Sequence, residues 1–377
     1  MSQTIKLGKI LGISIEVDYT WFIVFALVAV TLAVWYLPAN SPDLPAGLAW
    51  LLGAVAALLF FGSVLAHELM HSVVAQREGL EISSISLFVF GGVSRITGEP
   101  SNPKAELKIA AAGPGTSVAL AVIFYGLMVW SRALGVDRPV VASLGWLALM
   151  NLVLAIFNLV PGLPLDGGRL LRATIWHFTG NQQSATRIAA GVGQGFGYLL
   201  MFLGLLSLFG RNFLGGVWWL FIGWFLVQAA TSSYQQLLLR RALAGIPVSR
   251  LMTREVIAVP ANMSLAQLVD DYFLTKAYSA YPVVSEAGEV QGLVTVADVR
   301  TVPREEWART PVQQVVEPLS EEFTVKPETD GWDALVRMAE SNRGRLLVTE
   351  DHQLVGIVSQ TNIMHLLRTR MDLNLSQ

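Results

Sequence analysis

Two histidines and a glutamate lie within five positions of one another in LAHELMHSVVAQREG, residues 65–79. Residues four apart share one face of a helix, so His67 and His71 can direct both imidazoles toward one ion, with Glu68 beside them. This HExxH spacing is typical of a zinc site whose glutamate acts as the general base. The motif uses two of only five histidines in the chain, so a chance match is rare. We therefore predict a catalytic zinc site.

A catalytic zinc site needs a third protein ligand and leaves its fourth position to water. The segment FNLVPGLPLDGGRLLRA, residues 157–173, contains the best candidate, Asp166. Its two prolines cannot continue a helix, so we expect the preceding helix to end just after Val160 and Asp166 to lie on an irregular segment. The two glycines after Asp166 allow close approach of the backbone. An ordinary loop after a helix would have the same composition, so the histidines are what favour a ligand here.

The HELMH motif ends a long apolar segment, and the whole chain is unusually apolar. Of its 377 residues, 53% are hydrophobic and 14% are charged. A transmembrane helix needs about 20 apolar residues. Runs of about that length lie near 20–37, 48–76, 107–131, 140–160, 190–209 and 214–231. We predict six transmembrane helices, and an ionisable cluster inside one of them indicates function because charge is costly in a bilayer.

Basic residues flank the predicted spans unevenly. Lys6 and Lys9 precede the first span, whereas Arg240 and Arg241 follow the sixth. Because cytoplasmic segments are enriched in lysine and arginine, we expect a multi-pass protein of the cell (inner) membrane with both termini in the cytoplasm. The N-terminal segment has no apolar core of the kind found in a removable signal peptide.

Composition also excludes some classes of function. The chain has no cysteine, so neither disulfides nor thiolate metal ligands are available. Its net charge is −2 and it has no basic run, so we expect no nucleic-acid partner. Any metal must be held by histidine or carboxylate side chains.

The two motifs taken together, HELMH and NLVPGLPLDGG, resemble the signatures of the site-2 protease family of intramembrane zinc metalloproteases. The resemblance implies that His67, His71 and Asp166 hold zinc and that Glu68 is the general base. Asn158 matches an asparagine that lies near the substrate in that family. Its amide could stabilise an oxyanion or hold substrate backbone, or it could satisfy backbone groups that the prolines leave free.

Two further segments near the predicted site have more than one interpretation. ISLFVFGGVSRITG, residues 85–98, predicts a β-hairpin turning at Gly91-Gly92 and resembles the short membrane-associated strands of the family. Such a hairpin could bind an extended substrate by strand addition or could only pack over the site. AAAGPGTSVA, residues 111–120, places small residues in the third span, which close helix packing explains at least as well as catalysis.

The composition changes after Gln235, where charges become frequent and short strand and helix patterns alternate. VSRLM at 248–252 corresponds to VQQVV at 312–316, and GLVTVADV at 292–299 to GIVSQTNI at 356–363. This repeat resembles a tandem pair of cystathionine-beta-synthase (CBS) domains. The fold we expect is an α-helical integral membrane protein with a small membrane-associated β-hairpin, followed by a cytosolic α/β CBS pair. The expected divisions are a membrane domain at 1–235, a linker at 236–246 and CBS domains at 247–305 and 306–377.

The resemblance to CBS domains implies an adenine-nucleotide site for ATP or AMP. Thr295 and Asp298 match the positions that meet the ribose in the first repeat, and Ser359 and Asn362 match them in the second. An amide in place of the carboxylate makes the weaker hydrogen bond, so two equal sites are not expected. Nearby arginines at 343 and 345 could meet phosphates or could simply be solvated. CBS pairs also associate in pairs, which implies a homodimer.

We therefore predict an intramembrane zinc endopeptidase that acts on a single-pass membrane protein, such as an anti-sigma or pro-sigma factor, and is modulated by nucleotide. An alternative is a CBS-regulated transporter or channel, but transport does not explain the two motifs, and the halves of the membrane region show no inverted repeat. A second alternative is a related fold that has lost catalysis. The presence of all four residues of a hydrolytic zinc site argues against it.

Overall fold

The computed structural model describes residues 4–89, 91–98, 100–210, 213–276, 278–320, 323–341, 343–350 and 353–372. The chain divides into two compact units, Met1–Gln235 and Gln236–Gln377.

Apolar helices dominate the first unit. Among the described residues, six helices are long and apolar enough to cross a membrane, as the sequence predicted. The helices are α1 (Tyr19–Thr31), α2 (Leu37–Asn40), α3 (Ala46–Arg77), α4 (Pro103–Ala133), α5 (Arg138–Asn158), α6 (Asp166–Thr179), α7 (Gln182–Leu208) and α8 (Phe213–Leu243). A π-helical turn joins α1 to α2, so the two form one span, and α6 is a shorter helix between the fourth and fifth spans.

The first unit also contains a four-stranded sheet. Its strands are β1 (Thr4–Ile10), β2 (Ile13–Asp18), β3 (Glu81–Phe88) and β4 (Gly91–Thr97), in the order β1-β2-β3-β4. The antiparallel pair β3–β4 is the predicted hairpin. Because Phe88 pairs with Gly91, both glycines belong to β4 rather than to the turn. The sequence analysis did not identify β1 and β2, whose alternating pattern precedes the first span; β2 pairs in parallel with β3.

The segment between α5 and α6 carries the predicted third ligand. Helix α5 ends at Asn158 with Leu159 as its C-cap, close to the predicted break. The expectation that Asp166 lies on an irregular segment is wrong, because Asp166 is the first residue of α6. A carboxylate in a first helical turn is favoured by the helix dipole, and Leu165 is the extended residue before the helix.

Close backbone packing holds the first turn of α6 against the segment that joins α5 to α6. A Cβ atom on Gly167 would lie 2.3 Å from the carbonyl oxygen of Leu159, and one on Gly168 would lie 2.1 Å from the amide nitrogen of Leu163. Neither position can accept a side chain without a shift of the backbone. The two glycines therefore allow the close approach that the sequence predicted, and they bring the start of α6 onto the turn that follows α5.

The second unit contains two similar halves. Its strands and helices are β5 (Val259–Pro260), α9 (Leu265–Leu268), β6 (Ala280–Val284), β7 (Val290–Thr295), α10 (Val296–Val299), β8 (Glu317–Pro318), β9 (Thr324–Val325), α11 (Gly331–Glu340), β10 (Arg345–Glu350), β11 (Gln353–Ser359) and α12 (Gln360–Asp372). In each half a short strand lies parallel to the first strand of an antiparallel hairpin, β5 beside β6–β7 and β9 beside β10–β11. Helix α8 continues to Leu243, which is buried in the core of this unit, so much of the predicted linker is helical.

Candidate active site

Three potential metal ligands converge between α3 and α6. His67 and His71 project from successive turns of α3, and their Nε2 atoms are 3.2 Å apart. Asp166 Oδ2 lies 3.1 Å from Nε2 of His67 and 3.0 Å from Nε2 of His71. All three residues are buried. Residues that are 95 and 99 positions apart in the chain thus present one carboxylate oxygen and two imidazole nitrogens to a common point.

The spacing of these atoms fits zinc. A tetrahedral site with bonds of about 2.0–2.1 Å has ligand-to-ligand edges of roughly 3.3 Å, near the three measured separations. Two neutral imidazoles and one carboxylate also form a common donor set for catalytic zinc. The facing residue on α4 is Gly113, where a Cβ atom would lie 2.1 Å from Nε2 of His71 and 2.5 Å from Nε2 of His67. Glycine therefore leaves space at the metal-binding edge of both rings.

Helix α4 also contacts the Nδ1 atom of each imidazole, on the side of the ring opposite Asp166. His71 Nδ1 lies 2.6 Å from the carbonyl oxygen of Ile109. Because a carbonyl only accepts, Nδ1 carries the proton and Nε2 keeps its lone pair for a metal. His67 Nδ1 lies 2.9 Å from the hydroxyl oxygen of the buried Ser117. Sequence analysis discussed the segment 111–120 but did not single out Ser117, whose only signal was a hydroxyl four positions after Gly113 and beside that of Thr116.

Glu68 lies between the ligand cluster and the hairpin. The hydroxyl of Ser94 on β4 donates to Glu68 Oε2 at 3.3 Å, and the hydroxyl of Ser72 donates to Ser94 at 3.0 Å. A Cβ atom on Gly92 would lie 2.4 Å from Cγ of Glu68, so the first residues of β4 pack directly on this side chain. The hairpin therefore contacts Glu68. This contact is compatible both with packing over the site and with binding of a substrate by strand addition.

Both parts of this chain match known protein families. The model of peptidase family M50 matches residues 55–138 and 131–203, and the CBS domain model matches 248–305 and 312–369. The Mycobacterium tuberculosis protein named zinc metalloprotease Rip3 is 37% identical over 368 residues, which cover 97% of this chain and 93% of Rip3. Zinc metalloprotease MJ0392 of Methanocaldococcus jannaschii is 31% identical over 364 residues, which cover 97% of this chain and 96% of MJ0392.

This chain belongs to peptidase family M50. The resemblance to site-2 proteases with a CBS pair is thus confirmed, and the protein is a membrane-embedded zinc metalloprotease. The solved structure of the site-2 protease from Methanocaldococcus jannaschii is 31% identical, covers 61% of this chain and 95% of that chain, and has a TM-score of 0.43.

Asn158, the second predicted catalytic residue, makes its side-chain hydrogen bond within its own helix rather than with the ligand cluster. Its side-chain amide donates to the carbonyl oxygen of Leu154 on the same helix at 3.0 Å. Leu154 lies within α5, four residues before Asn158, so its carbonyl is not one that the prolines leave free, and the contact favours neither of the two interpretations. A role of Asn158 toward substrate in this M50 peptidase stays a prediction.

The four residues predicted to contact a nucleotide all cap helices of the CBS unit. Asp298 Oδ2 accepts from the backbone amide of Thr295 at 2.8 Å and from its hydroxyl at 2.7 Å, which closes a capping box at α10. In the second repeat, Asn362 Oδ1 accepts from the amide of Ser359 at 3.1 Å, and its side-chain NH2 donates to Thr253. These bonds explain the Thr/Ser-x-x-Asp/Asn pattern without a ligand, so nucleotide contact stays a prediction.

A cavity of about 320 Å³ lies between the two repeats beside Thr295. Ser279 and Arg345 face it from opposite repeats, and an Arg345 nitrogen donates to the Ser279 hydroxyl at 2.9 Å. Arg343 also lines the cavity, pairs with Glu317 and lies over the ring of Phe323. Both arginines are therefore engaged by protein groups rather than simply solvated.

Proposed function

We propose that this M50 peptidase is an intramembrane endopeptidase that cleaves a transmembrane segment of a single-pass membrane protein. In this proposal His67, His71 and Asp166 hold the zinc ion, and Glu68 is the general base. The observation that carries it is the convergence of three buried ligand atoms among helices long and apolar enough to span a bilayer. A site built from these helices favours a substrate whose peptide bonds enter the membrane region.

The chemistry divides between the metal and the protein. Zinc, when bound, supplies Lewis acidity that polarises the peptide carbonyl and makes water nucleophilic near neutral pH. Glu68 takes a proton from the attacking water and transfers it to the nitrogen of the departing amine, so that the peptide bond is replaced by a carboxyl group and an amine. The hydroxyl of Ser94 holds one carboxylate oxygen of Glu68 in place.

Strand β4 is well placed to present the substrate. A substrate helix must unwind before its peptide bond can reach a catalytic group, and an extended segment can be held by pairing with a strand edge. In the described part of the sheet, β4 is an outer strand, and its residues Gly92 and Ser94 contact Glu68. We infer that the substrate pairs with β4, with its scissile bond beside Glu68.

The proposal extends to topology and regulation. The basic residues at the ends of the first and last spans support cytoplasmic termini in the inner membrane. Single-pass regulators such as anti-sigma or pro-sigma factors are substrates of suitable topology.

The cavity beside Thr295 supports the binding of ATP or AMP by the CBS unit, and bound nucleotide would then control cleavage. Because CBS pairs associate with one another, the proposal includes a homodimer.

Purified protein in detergent tests the central proposal. Zinc content and cleavage of labelled single-pass substrates are measured for the wild type, His67→Ala and Asp166→Ala. We expect about one zinc per chain in the wild type and loss of both zinc and cleavage in each variant. Zinc retained in Asp166→Ala would place the third ligand elsewhere. A wild type that neither binds zinc nor cleaves would favour the transporter alternative.

A further inference from the structure

A buried ion pair joins α4 to α6 close to the ligand cluster. Glu106, in the first turn of α4, is completely buried, and its Oε1 accepts from Nε of Arg172 on α6 at 2.7 Å. A second guanidinium nitrogen of Arg172 contacts the same oxygen. Arg169 Nε lies 4.0 Å from it. The proposed mechanism uses none of these three residues.

Both ends of the pair lie on the helices that form the site. On α4, Glu106 precedes by three residues Ile109, whose carbonyl oxygen accepts from His71. Seven residues after Glu106 is Gly113, which faces both Nε2 atoms, so one face of α4 contacts Arg172 and the histidine rings. On α6, Arg172 follows Asp166 by six residues.

The Glu106–Arg172 pair attaches α6 to α4 beyond the point where Gly167 and Gly168 pack on the turn before the helix. The segment before α6 contains two prolines, and among the described residues the side-chain contacts of the Asp166 carboxylate are with the two histidines. The affinity of a protein for a metal depends strongly on the groups that orient the metal ligands without binding the metal themselves. A carboxylate held by two nitrogens of one planar guanidinium restrains both the distance and the rotation between two helices.

We propose that Glu106 and Arg172 are positioning residues of the metal centre, which fix α6 against α4 so that Asp166 meets the two histidines. This inference rests on the proposed zinc site. Neither residue touches the reacting atoms; they act through Asp166 and His71.

A neighbouring ion pair provides a matched control. Lys108, two residues after Glu106 on the same helix, pairs with Glu78 at 2.7 Å. Glu78 is the C-cap of α3, the helix that carries the histidines. This pair also joins α4 to α3, but the Lys108 side chain is 61% exposed. An exposed pair of this kind restrains its helices weakly.

The test compares metal binding by the full-length protein in detergent. The variants are Glu106→Gln/Arg172→Gln, which removes one charge of each sign, and Arg172→Lys, which keeps the charge but loses the two-nitrogen contact, with Lys108→Gln as the control. Zinc dissociation constants are measured by chelator competition. Visible absorption of the cobalt-substituted protein reports ligand geometry, and thermal unfolding of the metal-free protein reports the fold.

For the double variant we expect a 10- to 100-fold weaker zinc affinity, as is typical when groups that orient metal ligands are lost. We also expect the visible absorption bands of its cobalt-substituted form to change. The zinc affinity of Arg172→Lys should lie between those of the double variant and the wild type, and its unfolding temperature without metal should be unchanged. The zinc affinity of Lys108→Gln should equal that of the wild type. If the double variant fails to fold, Arg172→Lys decides the question.

Two results would overturn the inference and are distinguishable. Wild-type affinity and wild-type cobalt bands in both the double variant and Arg172→Lys would remove the positioning role while leaving the zinc site intact. A wild type that binds no zinc would instead refute the proposed site, and the positioning role with it.

Discussion

His67 Nδ1 lies 2.9 Å from the hydroxyl of Ser117, fifty residues later in the chain and on a different helix. Because the opposite nitrogen of the same ring points at Asp166, this contact sets the orientation of the imidazole. Ser117 would thus support a proposed metal ligand through the ring nitrogen opposite the metal-binding one.

Ser117→Ala should therefore weaken zinc binding by about 10-fold or more, since it removes the partner that orients His67. The neighbouring Thr116 provides the control, because its hydroxyl donates to Ala112 within α4. Thr116→Val should bind zinc as the wild type does. Chelator competition on both variants makes the comparison, and equal affinities would argue against support of His67 by Ser117.

Gly113→Ala should abolish zinc binding. The Cβ atom of alanine would lie 2.1 Å from the proposed metal-binding nitrogen of His71. The ring is held at Nδ1 by the carbonyl of Ile109, so it can make room only by leaving the position from which it would bind zinc. Gly115→Ala is the control on the same helix, since a Cβ atom there meets nothing within 4 Å. Zinc content after gel filtration distinguishes them. A zinc-loaded Gly113→Ala protein would show that the ion lies elsewhere.

Glu68→Gln should retain zinc and lose cleavage. The substitution keeps the shape of the side chain and its contact with Ser94, but an amide cannot accept the proton from water. Loss of a general base typically slows a reaction by about 10²–10⁴-fold. Single-turnover cleavage and zinc content are measured on the same sample. Full activity in this variant would refute the assigned base, and Glu78→Gln, at the end of the same helix, serves as the control.

Removal of metal should lower stability as well as activity. A ligand that binds only the folded state adds about 2.7 kcal/mol to the free energy of unfolding when its concentration is 100 times its dissociation constant. Chelation should therefore lower the unfolding temperature of the wild type, and added zinc should restore it. His71→Ala should show neither response. An unfolding temperature of the wild type that is insensitive to zinc would contradict metal binding by the folded protein.

The proposed nucleotide binding would use the cavity between the CBS repeats. If ATP or AMP occupies it, Arg345→Gln should weaken binding at least several-fold, because the side chain lines the cavity and a phosphate prefers a guanidinium partner. Arg300→Gln, on the exposed surface at the end of α10, should not. Calorimetry on the full-length protein makes the measurement. If neither nucleotide binds or changes cleavage, nucleotide control is wrong.

Local sequence was sufficient for the features that depend on short-range geometry. Two histidines four residues apart share a helix face in any fold, and apolar runs of sufficient length predict spans without knowledge of their packing. The same holds for the end of α5 before Pro161, because proline cannot donate the hydrogen bond that a continuing helix needs. The family motifs further identified Asp166, although not the helix that begins with it.

Tertiary structure decided every relationship between distant residues. Asp166 reaches His67 only because α6 and α3 both pack against α4, and no local pattern encodes a contact between residues 99 positions apart. The roles of Gly113, Ser117 and Glu106 depend on which face of α4 turns inward, and an apolar helix gives no such signal because lipid and protein interior select similar side chains. The sequence by itself thus determined the chemistry of the ligands. The packing of α4 and α6 determined where those ligands meet, because helix rotation and spacing depend on contacts made along the whole length of both helices.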